Sequence, residues 1–494
     1  MGGNYERGMY RQLQELMKDL DNLRSEFRVE REGYEHQIKE LREEMASERK
    51  RYEQRISELE GELCEVKAEN ELLKQDNERM KRELNNNSGN SSLPPSSDLP
   101  GKAPNTYNAR AKSSRAKGGQ IGHKGKSLTK ADVDRMLSSG KYSHKVITHG
   151  KESKEWKTRY TLDVEIKPVI IEHRFYADEN GNYAIPKDMH SEVTYGKELK
   201  TIAVLLYSEG VVSNDRIQAF LNGISHGLFN ISEGSVYGFC RQFAAKVRHI
   251  VAGYADELLN SNTLYTDATT MTRNGKQSYI RSISTDKCVL YQPMDGKSIS
   301  ELRTLEVLKD YTGTLIHDHE TAMYHFGTEH GECNVHLLRY LKKNTEESGN
   351  HWSEELARFL CDANRQKKER LQCGRWFSED ELKAFSQAYD AIVEKGRMEN
   401  KAVTKRIAHA YEKALLNRLV SYKRDHLLFL YREDVSFDNN ESERNLRKCK
   451  NRQKMSGGFR EKSGMLMYCT LLSFFETVKK NMGNPYQAAY SAWG

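Results

Sequence analysis

Thr263-Leu-Tyr-Thr-Asp267 and Gly313-Thr-Leu-Ile-His-Asp318 are two short apolar runs, each closed by an aspartate. The first opens a meander. Strands are expected at 263–269, 277–284 and 287–292, with Asn274-Gly275 joining the first two, because this dipeptide suits the positive-φ turn of a tight hairpin. A helix near 299–310 then precedes the strand at 313–317. Another strand-like stretch, Gly331-Glu-Cys-Asn-Val-His336, leads into a helix from Leu337. A meander followed by strands alternating with helices is an α/β pattern.

A third acid sits far downstream in Phe437-Asp-Asn-Asn-Glu-Ser-Glu-Arg-Asn-Leu-Arg447, which reads as a helix start. This order of elements is that of a ribonuclease-H-like domain, in which the first and fourth strands are neighbours. Asp267 and Asp318 then share one edge of the sheet, and Glu443 completes the group from a helix. Hard divalent cations take oxygen ligands, and an acid from each of three elements suits two ions against one scissile phosphate. Glu441 and Glu443 are about 200° apart on a helix, so both cannot face one centre. Glu443 shares its face with Asn440, Leu446 and Lys450 and is assigned the ligand role. Glu441 shares its face with Asn445, Lys448 and Arg452, which reads as solvent or DNA surface. Arg444, Arg447, Lys450 and Lys454 give this helix a cationic side suited to DNA phosphates. Residues 350–432 read as wholly helical, an insertion ahead of the last catalytic helix.

Upstream, residues 10–85 form one long helix with an apolar seam: Leu13, Leu16, Leu20, Leu23, Phe27, Ile38, Leu41 and Met45, then Ile56, Leu59, Leu63, Val66, Leu73 and Met80. Asn70 and Asn77 fall at a positions, which favour a parallel, in-register dimer. Asn85 to Asp98, rich in Asn, Ser and Pro, ends the helix. From Gly101 to Lys130 the chain is basic and without acids; Lys112, Arg115, Lys117 and His123 are its expected DNA contacts. Residues 155–195 alternate in strand fashion and suggest a small β module. Residues 196–252 read as helices, with Asn230 to Cys240 resembling the turn and second helix of a helix-turn-helix.

The chain has 494 residues, 37% hydrophobic and 30% charged, with a net charge of +7. No run of 18 apolar residues indicates a membrane span, and the N-terminus lacks the apolar core of a secretion signal. The eight cysteines are scattered without a C-x-x-C pair, so reduced thiols in a cytoplasmic, nucleoid-associated protein are expected.

Several motifs together resemble the transposases of the insertion sequence 66 family: Ser-Ser-Leu-Pro-Pro-Ser-Ser-Asp98, Gly118-Gly-Gln-Ile-Gly-His123, the Asp318 to Tyr324 stretch, Cys333-Asn-Val-His336-Leu-Leu-Arg339, and Asn439-Asn-Glu-Ser-Glu443-Arg444 with Ser456-Gly-Gly-Phe-Arg460 behind it. The resemblance implies a DDE-type transposase that cleaves the inverted ends of its own element and joins the 3′-hydroxyl to target DNA. It implies Mg²⁺, two ions with Mn²⁺ as a substitute, double-stranded DNA as partner, and small accessory proteins. Asp267, Asp318 and Glu443 take the catalytic and metal-binding roles. Two departures stand out. The family's cysteine zinc module is missing, since residues 131–195 hold no cysteine, so no zinc is expected. The first acid is followed by Ala268-Thr269 where the family has Glu-Thr. This leaves an alternative, a catalytically inactive, domesticated DNA-bridging protein.

The expected organisation is multidomain: a coiled-coil helix (1–86), a Pro/Ser then basic linker (87–130), a small β module (131–195), a helical, helix-turn-helix-like region (196–258), the first part of a ribonuclease-H-like core (259–349), a helical insertion (350–432), and the catalytic helix with the rest of the core (433–494). A homodimer or larger assembly through the coiled coil, with no membrane association, completes the expectation.

Overall fold

Helix α1 (Gly3–Leu84) runs for 82 residues without a break. Intrahelical pairs such as Arg31–Glu35 and Arg49–Glu53, both at 2.9 Å, support its polar faces. The leucines of its seam, Leu13, Leu20, Leu59 and Leu63 among them, are exposed along the single helix. The computed structural model describes residues 3–84, 128–140, 143–149, 157–186, 189 and 191–494. Two units divide the chain, residues 1–86 and 87–494. The basic-arm residues Lys112, Arg115, Lys117 and His123 lie outside the described residues.

The second unit begins with α2 (Lys130–Ser138), started by a reciprocal Thr129–Asp132 capping box. The β module expected over 131–195 is not formed among the described residues. Their only strand-like pairing is the isolated bridge Ala177–Tyr183, closed around Asn180-Gly181. The alternating apolar side chains meet no opposing strand, with Val164 80% and Ile170 96% exposed. Periodicity alone does not make a strand stable without partners.

Three helices follow: α3 (Lys197–Ser208), α4 (Asn214–Ile224) and α5 (Glu233–Leu259). Next come β1 (Thr263–Arg273), β2 (Lys276–Ser284), β3 (Val289–Met294), α6 (Ile299–Leu302), β4 (Thr314–His317), a 3-10 turn (Thr321–His325) and β5 (Glu329–Glu332). The remainder is helical: α7 (Asn334–Ser348), α8 (Trp352–Gln372), α9 (Glu379–Asn400), α10 (Arg406–Ser421), α11 (Lys423–Tyr431), α12 (Asn440–Ser456), α13 (Lys462–Lys480) and α14 (Pro485–Ala492).

The strands form one mixed sheet in the order β3-β2-β1-β4-β5. β1, β2 and β3 are antiparallel, whereas β4 pairs in parallel with both β1 and β5. The β1–β2 turn has positive φ at Asn274 (49°) and Gly275 (72°), the geometry that matches strand twist in a two-residue hairpin. Alternate residues of β4 enter opposite cores. Leu315 joins the cluster built with α3, α5 and α13, and Ile316 joins the cluster built with α7 to α11. The helices of residues 196–258 therefore share one apolar core with the sheet. Phe243 of α5, for example, stacks on Phe475 of α13.

Two further elements differ from expectation. The helix near 299–310 shrinks to the single turn α6. Leu305, Val307 and Leu308 are all buried, and no single helix face presents Leu305 and Val307 together. The strand-like 331–336 ends at Glu332, and α7 starts at Asn334, so His336 lies in the first turn of a helix.

Candidate active site

Asp267 does not close β1; the strand continues to Arg273. What ends there is its partnership with β4. The parallel register pairs Thr266 with His317 as its last step, so Asp267 and Asp318 are the next residue on each strand. On the other side Asp267 stands opposite Ser282 of β2. Burial and the charge of Asp318 both raise the Asp267 carboxyl above the ordinary range, partly offset by the Ala268 N–H it accepts and by Arg281 and Lys297. Arg281 is fully buried below, donating to Thr266 Oγ1 at 3.1 Å and to both oxygens of Glu320 at 2.8 and 2.9 Å. Glu320 is thus occupied by a structural pair.

Asp318 is a quarter exposed, with His336 Nδ1 3.2 Å from its Oδ1. The amide of Asn439 donates to the same oxygen at 3.3 Å and to the Thr266 carbonyl at 2.9 Å, bridging β1 and β4. Burial raises the Asp318 carboxyl, but His336 and Asn439 outweigh it and hold it below its ordinary value. Glu443, in the first turn of α12, has Oε1 3.8 Å from His336 Nε2. Arg339 Nη1 lies 3.1 Å from the same Nε2. Burial disfavours a charged His336, but Asp318 and Cys333 outweigh it and raise the imidazole to about 11. His336 therefore links the second and third acids. It was absent from the sequence-based site, as was Asn439, although both fall within the quoted motifs. Position after a strand and at a helix start was their only sequence signal.

The two acids at the start of α12 diverge. Glu441 is held by Arg444 at 2.9 Å and by Lys480. Its face is packed rather than open, contrary to expectation. Asn445 and Arg452 are buried, and Lys448 pairs with Glu209 and Glu476. Arg444 lies beside Glu441, Arg447, Lys450 and Lys454 lie on the other side of the helix, and all four are exposed. Gly457 caps α12 in the left-handed region, and Gly458 then passes against β1. Phe459 donates its N–H to Thr272 at 2.8 Å and accepts from Asn274 at 2.9 Å.

The donor set suits a hard divalent cation. Asp267 stands beside Asp318, and Asp318 and Glu443 both approach His336. Burial first and the Asp318 charge second raise the Asp267 carboxyl, and a bound cation would favour its ionised form.

Residues 194–467 match the model of the family described as Transposase IS66 family. Residues 11–129 match a family of unknown function, DUF6444. Among curated proteins nothing matches the chain. The first matched segment runs from just before α3 into α13 and so takes in the shared core of helices and sheet.

Proposed function

Because the chain belongs to the transposase IS66 family, we propose that it is a DDE-type DNA transposase whose three acids are Asp267, Asp318 and Glu443. The observation that carries this reading is the register step that sets Asp267 beside Asp318, with Glu443 brought to the same histidine as Asp318. The strand order, with β1 between a meander and a parallel pair, supports a ribonuclease-H-like core in which α8 to α11 are an insertion.

The acids would hold Mg²⁺, and bound divalent cations supply Lewis acidity to the attacking and leaving oxygens of phosphodiester cleavage and strand joining. His336 stands between Asp318 and Glu443 as a charge partner of both, and Asn439 fixes the spacing of the strand ends. Arg339, beside His336, and the exposed Arg444, Arg447, Lys450 and Lys454 supply positive charge for the DNA backbone. The exposed seam of α1 supports a parallel dimer that holds two element ends before cutting. Among the described residues no helix is long and apolar enough to cross a membrane.

Labelled duplexes carrying the terminal inverted repeats, incubated with the protein and Mg²⁺, test the reading. Strand cleavage at the element end is expected, and its loss in Asp318→Asn with DNA binding retained. DNA binding without any cleavage by the wild type would favour the inactive bridging protein instead.

A further inference from the structure

His319, Glu332 and His426 come together from three elements behind the acid site: the residue after Asp318, the end of β5 and the middle of α11. We propose that these three residues form a zinc site, distinct from the carboxylate site for Mg²⁺. Both imidazole Nε2 atoms face the same carboxylate oxygen, Glu332 Oε2, at 2.7 Å from His319 and 2.8 Å from His426. The other oxygen, Oε1, is separately satisfied by Arg418 Nη2 and the Tyr324 hydroxyl, both at 2.9 Å. Hydrogen bonds on the far side of a ligating carboxylate are the usual outer support of a metal site.

The hydrogen bonding of His426 points the same way. Tyr389 Oη lies 3.1 Å from the Leu419 carbonyl and 3.0 Å from His426 Nδ1. The hydroxyl has one proton, which the carbonyl can only accept, so Nδ1–H of His426 donates to Tyr389. In the neutral ring Nε2 then presents a lone pair to Glu332 Oε2. Two lone pairs at that distance repel unless a proton or a metal ion is shared between them. His319 adds a donor atom that no hydrogen bond satisfies. Its side chain is 5% exposed, and among the described residues neither ring nitrogen has a hydrogen-bond partner.

Two imidazole nitrogens and one carboxylate oxygen select zinc over magnesium, which favours an all-oxygen shell. The proposal departs from the expectation of no zinc, which was drawn from the cysteine-free residues 131–195 and did not consider histidines brought together from distant elements. A zinc ion here ties the end of β4, which carries Asp318, to β5 and to the helical block.

The test uses the full chain, stripped with a chelator, reloaded with Zn²⁺ or Co²⁺ and desalted. One zinc per chain should be retained, the thermal midpoint should rise on reloading, and Co²⁺ should give the visible absorption of a low-coordinate nitrogen-containing site. His319→Gln and His426→Gln should lose the retained zinc and the Co²⁺ band, while Asp318→Asn keeps both. Should either histidine variant not fold, Tyr389→Phe decides, since it leaves all three ligands in place. Loss of this outer-shell partner should weaken zinc binding by about 10- to 100-fold. A wild type that retains no zinc, a Co²⁺ spectrum indifferent to both histidines, or unchanged zinc affinity in Tyr389→Phe would each overturn the proposal.

Discussion

Asp267 and Asp318 each stand one residue beyond the last parallel pair of β1 and β4, Thr266 with His317. Their proximity is a property of backbone register, so neither acid needs a flexible loop to reach the other. Asp267→Asn, Asp318→Asn and Glu443→Gln should each reduce strand cleavage to background while DNA binding persists. Glu441→Gln should leave cleavage close to wild type, since Glu441 serves Arg444 and Lys480. A reversal of the Glu441 and Glu443 phenotypes in the cleavage assay would discard the assignment of the third acid.

His336 touches the acids without being one of them. His336→Gln should cut cleavage by about 10- to 100-fold, the usual loss when an outer partner of a metal ligand is removed. The Mg²⁺ concentration for half-maximal cleavage should rise with it. A rate loss with an unchanged Mg²⁺ requirement would mean that His336 acts on something other than the acids.

Gly458 and Gly457 separate two effects of a methyl group. A Cβ on Gly458, at φ 126°, would run into the Thr272 carbonyl oxygen, whereas at Gly457, φ 68°, it meets open space. Gly457→Ala should cost about 1 kcal/mol for its left-handed backbone. Gly458→Ala should cost more, about 1–3 kcal/mol of strain before the clash, and should free Phe459 from β1. Chemical denaturation of both variants checks the order, and equal losses would contradict this contact.

Lys367 gives a pH dependence whose sign can be worked out. Its ammonium donates to the carbonyls of Arg432 and Val435, and burial lowers it to about 8 from 10.5, with Asp434 and Glu433 partly opposing. Above pH 8 the folded chain gives up this proton while the unfolded chain keeps it to about 10.5. The unfolded state binds more protons in that window, so this group's contribution to stability rises with pH there and is flat below it. Relative to Lys367→Met, the wild type should gain thermal stability between pH 8 and 10. A difference that stays constant over this range would refute the shift.

Deleting residues 1–86 should lower the assembly state. The exposed seam of α1 leaves its apolar residues to another chain. Sedimentation of the full chain against residues 87–494 checks this, and an unchanged oligomer would remove α1 from the assembly.

The sequence was most informative where short-range chemistry governs. The Asn274-Gly275 hairpin, the apolar runs before the acids and the seam of α1 are all set by neighbours along the chain. Tertiary placement was not legible. His336 and Asn439 reach the acids only once β5, α7 and α12 are folded together, and Glu332 and His426 meet across a long stretch of helix. The alternation over 155–195 misled because a pattern of period two states which residues would share a face, not whether a second strand exists to cover it. For Glu441 the error came from taking polar neighbours as exposed, when Arg452 is buried between Tyr207 and Tyr468.

The helical block α8 to α11 departs from and returns to nearly the same point. Asn334 donates its backbone N–H to the Phe437 carbonyl at 3.1 Å, and Asn439 donates to Cys333 Sγ at 3.2 Å. The excursion is a loop clasped at its neck. Doubling the length of a flexible turn within such a loop costs only about 0.6 kcal/mol in closure entropy, so chain added at the turns between these helices leaves the acid on α12 in place. The helices themselves are not dispensable, since their apolar faces cover Ile316 two residues before Asp318.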